Sequence, residues 1–310
     1  MPLHLGHCAL IRFAATQCDE LIVSMTYKPG DVISGALRFE WIKEEFKNES
    51  LIKPEISLDD FDDESLSLAD RLPLWISFII KRFPPIDIII SSEEYGGSVS
   101  ASMRIDYVSF DQSRERFPVS ATMIRSNPMK FWDFISKPAK SFFLKRICFY
   151  GPESTGKSTM AKHFARLYGT EFVPEVSREI IATNDFTVDD IIRIGQAQTD
   201  RVIEKSKTAN RFLFCDTDLI TTEIYSRHYL ANVPKILFDL EKQVQYDQYF
   251  LFDIDVPWVA DGLRDLSGRR HEMFEVFKKE LNARDISYVL VKGTFEQRFE
   301  IIKKIIDSIN

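Results

Sequence analysis

A chain of 310 residues has room for two ordinary domains, and a hydrophobic fraction of 45% is enough to fill two cores. A net charge of −7 argues against a broad electrostatic footprint for nucleic acid. No apolar run approaches the length of a membrane span, and no charged-then-apolar signal opens the chain, so a cytosolic protein without nucleic-acid or membrane partners is expected. Cys8, Cys18, Cys148 and Cys215 are scattered with no C-x-x-C pair; Cys148 and Cys215 lie in apolar stretches and read as buried free thiols.

Taken in order, Met-Pro-Leu-His4-Leu-Gly6-His7 runs into a helical pattern with Leu10, Phe13 and Ala14 on one face. Two histidines flanking a glycine at a helix start suit a polyphosphate, because the glycine permits close approach while the helix dipole and imidazoles stabilise phosphoryl charge. Taken alone, the same residues read equally well as ordinary surface. Glu20 to Met25 reads as a strand, Ile33 to Phe46 as a helix, 54–64 as an acidic loop and Leu66 to Arg82 as another helix. Ile86 to Ile90 is a strand that leads into Ser91-Ser92-Glu93-Glu94-Tyr95-Gly96-Gly97. Further on, Ser120 is a good N-cap for a short helix, which turns Thr122 and the first-turn amides toward one phosphate with Arg125 in reach. A capped surface helix is the plainer reading of that segment. Alternating strands and helices call for a parallel sheet with ligands at the carboxyl ends of its strands. The polar steps Lys137-Pro138 and Lys140-Ser141 mark a short linker, dividing the chain into domains at 1–138 and 143–310.

The second half opens on the most specific motif of the chain. Gly151, Gly156, Lys157 and Ser158 fit G-x-x-x-x-G-K-[ST] without mismatch, between an apolar strand and an amphipathic helix. Across Gly151-Pro-Glu153-Ser154-Thr155-Gly156-Lys157-Ser158-Thr159, the glycines let successive N–H groups turn toward a phosphate of ATP. Lys157 adds a mobile positive charge, and Ser158 offers its hydroxyl to a Mg2+ carried by the nucleotide. Glu175 and Arg178 follow at a strand end, where kinases of this kind contact substrate; plain surface charge is the alternative. Asp216 and Asp218 close an apolar strand as a pair of acids suited to orient Mg2+. One of them, or Glu175, would take the proton of an attacking hydroxyl. Arg264, Arg269 and Arg270 form an arginine-bearing loop able to close over a transferred phosphoryl group.

His4-Leu-Gly-His7 with Ser120-Ala-Thr122-Met-Ile-Arg125 resembles the paired [TH]-x-G-H and S-x-T-x-x-R signatures of nucleotidyltransferases. With Ser92-Glu-Glu-Tyr-Gly96, Val108-Ser-Phe-Asp111-x-x-Arg114, the phosphate loop and Asp216-Thr-Asp218-x-x-Thr221-Thr222, the whole chain resembles the bifunctional NadR-type family, nicotinamide mononucleotide (NMN) adenylyltransferase joined to ribosylnicotinamide kinase. The resemblance implies a Rossmann-like nucleotidyltransferase domain followed by a P-loop kinase domain, both α/β. It implies that His4, Gly6, His7, Ser120, Thr122 and Arg125 hold ATP in the first domain, while Ser92, Glu93 and Tyr95 place NMN. In the second domain it implies that Trp258 and Tyr288 sandwich the nicotinamide ring, a flat cationic partner suited to flat aromatic faces. Its substrates and products are ATP, nicotinamide riboside, NMN and NAD, with homo-oligomerisation left open.

Members of that family begin with a strand and a G-x-F-x-P turn before the histidines, and some carry a helix-turn-helix module ahead of it. This sequence opens at Met1-Pro-Leu, so exposed ladder groups and a core gap are expected in the first domain. That leaves three readings beside full bifunctionality. They are a kinase with a degenerate first domain, a regulatory protein sensing ATP and NAD without turnover, and a kinase for another nucleoside joined to a cytidylyltransferase-like domain.

Overall fold

The computed structural model describes residues 2–260 and 264–309. The chain divides into two compact units at Lys140/Ser141. The first unit runs α1 (Leu5–Ala15), β1 (Leu21–Tyr27), α2 (Gly35–Glu45), β2 (Ile52–Leu58), α3 (Leu68–Arg82), β3 (Ile88–Ser91), α4 (Tyr95–Met103), β4 (Asp106–Ser109) and α5 (Ala121–Ser126). Its strands form two parallel ribbons: β1 on β2, from Leu21↔Ile52 to Tyr27↔Leu58, and β3 on β4, from Ile88↔Asp106. Among the described residues, no strand joins one ribbon to the other.

Part of the expected acidic loop at 54–64 is strand β2. Pro54 hid it, because proline cannot donate to a ladder; β2 pairs on one side only, and such an edge tolerates the missing N–H. The expected linker is also ordered. Lys137–Phe143 forms α6, with Pro138 in its first turn, where an amide N–H has no partner to lose.

The second unit continues β5 (Lys145–Tyr150), α7 (Lys157–Leu167), β6 (Phe172–Val173), α8 (Ser177–Ile180), α9 (Val188–Ser206), β7 (Phe212–Asp216), α10 (Leu219–Leu230), α11 (Lys235–Glu241), β8 (Gln248–Phe252), α12 (Arg270–Ala283), β9 (Tyr288–Val291) and α13 (Phe295–Asp307). Its five strands are all parallel, in the order β6-β7-β5-β8-β9. Central β5 reads as a nearly continuous apolar run because helices cover both of its faces. On one face Phe149, Phe164, Phe214, Phe250 and Phe252 pack as a single aromatic core; on the other Cys148, Tyr150, Tyr249 and Phe277 do so. Cys148 and Cys215 face each other in register as buried free thiols, as expected. Neighbours lie on both sides of β5, so a crevice opens outside its carboxyl end.

Candidate active site

β5 ends in that crevice and hands the chain to Gly151. Its φ is +135°, and a Cβ there would sit 2.9 Å from the Phe252 carbonyl oxygen, so only glycine lets the loop turn against β8. Gly156, at φ +88°, caps α7 with no side chain on the helix N-terminus, and no acid lies in the first turn. The free amides and the dipole therefore face the crevice together. Ser154 is left-handed without being glycine, at φ 58°. Its Oγ accepts from the Val259 N–H at 2.8 Å, which holds the loop in that shape. Thr155 Oγ1 donates to the Pro152 carbonyl at 2.9 Å, and Lys157 Nζ donates to the same oxygen at 2.8 Å. Desolvation pushes the Lys157 ammonium below its ordinary pKa, opposed by the nearby Asp216, Glu175 and Glu153 carboxylates.

Four acids stand near this loop, and the geometry separates them. Asp216 ends β7, buried, with Ser158 hydrogen-bonded to its carboxylate and Oδ1 buried without a hydrogen-bond partner among the described residues. Burial raises it to about 6, with the Glu175 carboxylate adding to the rise. Asp218 is different. Its Oδ1 caps α10 by accepting from Thr221 N at 3.0 Å and Thr221 Oγ1 at 3.1 Å, and Oδ2 accepts from Tyr249 Oη at 3.0 Å. Both oxygens accept hydrogen bonds, so the two acids of the expected pair stand in different surroundings. Burial raises Asp218 to about 6 against those hydrogen bonds. Glu175 pairs with Arg178 at 3.2 Å on the cavity wall. Glu153 is among the residues lining the cavity, and its Oε2 is buried without a partner among the described residues.

The cavity, about 170 Å³, is bounded by the loop on one side and by Glu175, Arg178, Thr221, Thr222 and Tyr225 on the other. Of the three expected loop arginines, Arg264 alone lines it, donating to the Val259 carbonyl at 2.8 Å. Arg269 is ion-paired with Glu272, its Nε 2.7 Å from Oε2. Arg270 donates to the Val256 carbonyl at 2.9 Å and lies over the Trp258 ring, 5.5 Å from its centroid. The rest of that loop, 261–263, lies outside the described residues. Tyr288 packs against the Cys148–Tyr249 core, and neither it nor Trp258 lines this cavity.

Two features escaped the sequence reading. Phe186, Tyr225 and Tyr229 give the cavity an aromatic wall, with Phe186 and Tyr229 ring centroids 5.4 Å apart. Arg298 of α13, 3% exposed, donates to Thr155 O at 2.6 Å, Gly293 O at 2.9 Å and Asp253 O at 3.1 Å, and pairs with Asp255. It braces the phosphate loop from beneath. A lone arginine in a terminal amphipathic helix carries no sequence signal of such a role.

In the first unit, His4 is the N-cap residue of α1 and stacks on His7 with centroids 3.7 Å apart. Both Nδ1 atoms are buried without partners among the described residues. Burial lowers His4 to about 4, with the Arg114 cation contributing, and pushes His7 down in the same direction. A Cβ on Gly6 would meet His4 Cε1 at 3.0 Å and Phe117 Cβ at 3.3 Å, so Gly6 permits the close packing of these segments. Ser120 caps α5 by accepting from Met123 N at 3.2 Å, and Arg125 Nη2 donates to Thr122 Oγ1 at 3.1 Å. Arg114 pairs with Glu93 at 3.1 Å, and the Asp111 carboxylate accepts from Arg116 N and Phe117 N, both at 3.0 Å. Those contacts bring the Ser92–Gly96 and Val108–Arg114 segments together. Tyr95 opens α4 beside the Trp75 ring, centroids 5.9 Å apart.

Fold and loop together define an α/β chain of two parallel-sheet units, the second carrying a P-loop at the carboxyl end of β5. Comparison with known proteins narrows the class. A family model described as an AAA domain matches residues 146–298. The trifunctional NAD biosynthesis/regulator protein NadR of Escherichia coli (strain K12) is 28% identical, over 96% of this chain and 78% of its own length. Its counterpart from Salmonella typhimurium (strain LT2) is also 28% identical, over 98% of this chain and 80% of its own. A solved NadR protein in complex with NR superposes with a TM-score of 0.78 at 22% identity, covering 100% of this chain and 94% of that one. A NadR protein in complex with NAD and AMP-PNP gives 0.78 at 21% identity, over 99% and 92%. The chain is similar to the NadR proteins along nearly its whole length.

Proposed function

We propose that this chain is a bifunctional transferase of NAD salvage. The second unit moves the γ-phosphoryl group of ATP to nicotinamide riboside, giving NMN and ADP. The first joins NMN to ATP, giving NAD and pyrophosphate. The observation that carries the kinase reading is the open cradle of Gly151–Ser158, with Lys157 inside it and Ser158 hydrogen-bonded to Asp216. The chemistry is mainly positioning and charge neutralisation. Loop amides and Lys157 hold the phosphates, and Arg264 reaches the cavity from the far side. Glu175 with Arg178, Trp258 and Tyr288 are assigned to the riboside.

The donors fit a Mg2+ ion: the buried Oδ1 of Asp216 has no partner, and a serine hydroxyl lies beside it. Ser158 and Asp216 would hold the ion, which neutralises charge on the β- and γ-phosphates when bound. In the first unit, His4, Gly6, His7, Ser120, Thr122 and Arg125 are assigned to ATP, and Ser92, Glu93 and Tyr95 to NMN. Buried neutral imidazoles suit hydrogen-bond donation to phosphoryl oxygens. A kinase-only reading is favoured by one observation, that the two ribbons of the first unit stand unjoined among the described residues. Trp258→Ala tests the riboside assignment in a steady-state assay. The KM for riboside should rise far more than the KM for ATP, and equal effects would remove the stacking role.

A further inference from the structure

We propose that Glu153 is the general base of the phosphoryl transfer, accepting the proton of the acceptor hydroxyl as that oxygen attacks the γ-phosphorus. The inference rests on the kinase reading above and identifies the acid it leaves open.

A base for this step needs a free carboxylate oxygen on the attack side of the terminal phosphate, held in place before the substrate arrives. Asp218 is excluded, since it does not line this cavity and its carboxylate already accepts three hydrogen bonds from the α10 cap and Tyr249. Asp216 lies behind Ser158, where it fits the metal, and Glu175 is paired with Arg178. Glu153 alone combines the remaining properties. It stands in the phosphate loop, it is among the residues lining the cavity, and its Oε2 is buried without a partner among the described residues. Its placement is fixed from two sides. The Tyr225 hydroxyl hydrogen-bonds the Glu153 backbone, and the next residue, Ser154, is bound to Val259. Attack must come in line, opposite the leaving oxygen, and a loop residue lining this cavity borders the space the incoming hydroxyl must occupy. The facing wall offers the hydroxyls of Thr221, Thr222 and Tyr225 and the Glu175–Arg178 pair, a lining suited to a ribose-type polyol.

In the step itself, the acceptor oxygen bonds the γ-phosphorus and its proton passes to the Glu153 carboxylate. The bond from that phosphorus to the bridging oxygen breaks, its electron pair leaving on ADP, and Glu153 returns the proton to water after product release. The charged and titratable groups that act on Glu153 are Lys157 of α7, Glu175 after β6, Arg264 and Asp265 before α12, and Tyr225 of α10. Burial, with Asp265 and Glu175 adding and Lys157 and Arg264 opposing, raises its carboxyl to about 7. A base poised there is partly ionised at neutral pH and still basic enough to take the proton.

The test is Glu153→Gln beside Glu175→Gln in the full chain, with kcat and both KM values followed across pH and binding of a non-hydrolysable ATP analogue as the folding control. Glu153→Gln should lower kcat by about 100-fold or more, the usual size of a general-base contribution, with analogue affinity little changed. It should also abolish the acidic limb of the kcat profile, while Glu175→Gln keeps that limb and raises mainly the riboside KM. Near-normal kcat in Glu153→Gln, or a lower kcat with the acidic limb intact, would overturn the assignment. A wild-type chain that forms no NMN would instead count against the kinase reading itself.

Discussion

Lys157 is held inside the loop that it serves, bound to Pro152 O at 2.8 Å, and a triphosphate that enters the cradle offers it a stronger, charged partner. Arg298 works from the other side of the same loop through neutral carbonyls and Asp255. Replacing it with alanine leaves one buried and two part-buried carbonyls and the exposed Asp255 carboxylate without this partner, so Arg298→Ala should destabilise the second unit by about 1–3 kcal/mol, read as a lower midpoint in thermal unfolding. An unchanged midpoint would show that the brace is dispensable. In the first unit, His4 and His7 are held neutral by burial. The unfolded chain therefore binds more protons than the folded unit between the ordinary histidine value of 6.5 and about 4. Stability present above 6.5 should be lost as pH falls through that window, and His4→Gln should flatten the loss. Urea unfolding at a series of pH values measures both.

At the scale of elements, what the sequence discloses depends on how each segment meets solvent. The run β5–loop–α7 was legible because glycines at fixed spacing, an apolar strand and an amphipathic helix each leave a separate mark. Helices α10 and α11 left little mark. In α10, Leu219, Ile220, Thr221, Thr222, Glu223, Ile224 and Ser226 are all buried, so polar residues line its hidden face and the helical period disappears. Asp218 shows a related limit: strand-end acids look alike in sequence, and only its bonds to Thr221 and Tyr249 mark it as the cap of α10. Distances between loops were not legible either, which is why Arg264 reaches the cavity and Arg269 and Arg270 do not. Packing of α9 on α11 gives a test at this scale. A Cβ on Gly195 would meet Leu237 Cδ2 at 2.4 Å. Gly195→Ala should cost about 1–3 kcal/mol by overpacking, despite alanine's better helix propensity. A rise in thermal midpoint would mean that Leu237 moves aside freely.

For the molecule as a whole, two units with their own candidate sites mean that the two half-reactions should separate by mutation. Under the proposed function the order is riboside, NMN, NAD, since the adenylyl acceptor would be the phosphate that the kinase step installs. The most direct measurement is a time course of the wild-type chain and Lys157→Ala with nicotinamide riboside, ATP and Mg2+, resolved by chromatography and repeated from NMN. Wild type should form NMN with one ADP per turnover and then NAD. Lys157→Ala should form neither from the riboside, yet make NAD from NMN at the wild-type rate. NMN formation by Lys157→Ala at the wild-type rate, or none by the wild-type chain, would contradict the assignment of the phosphate loop as the kinase site.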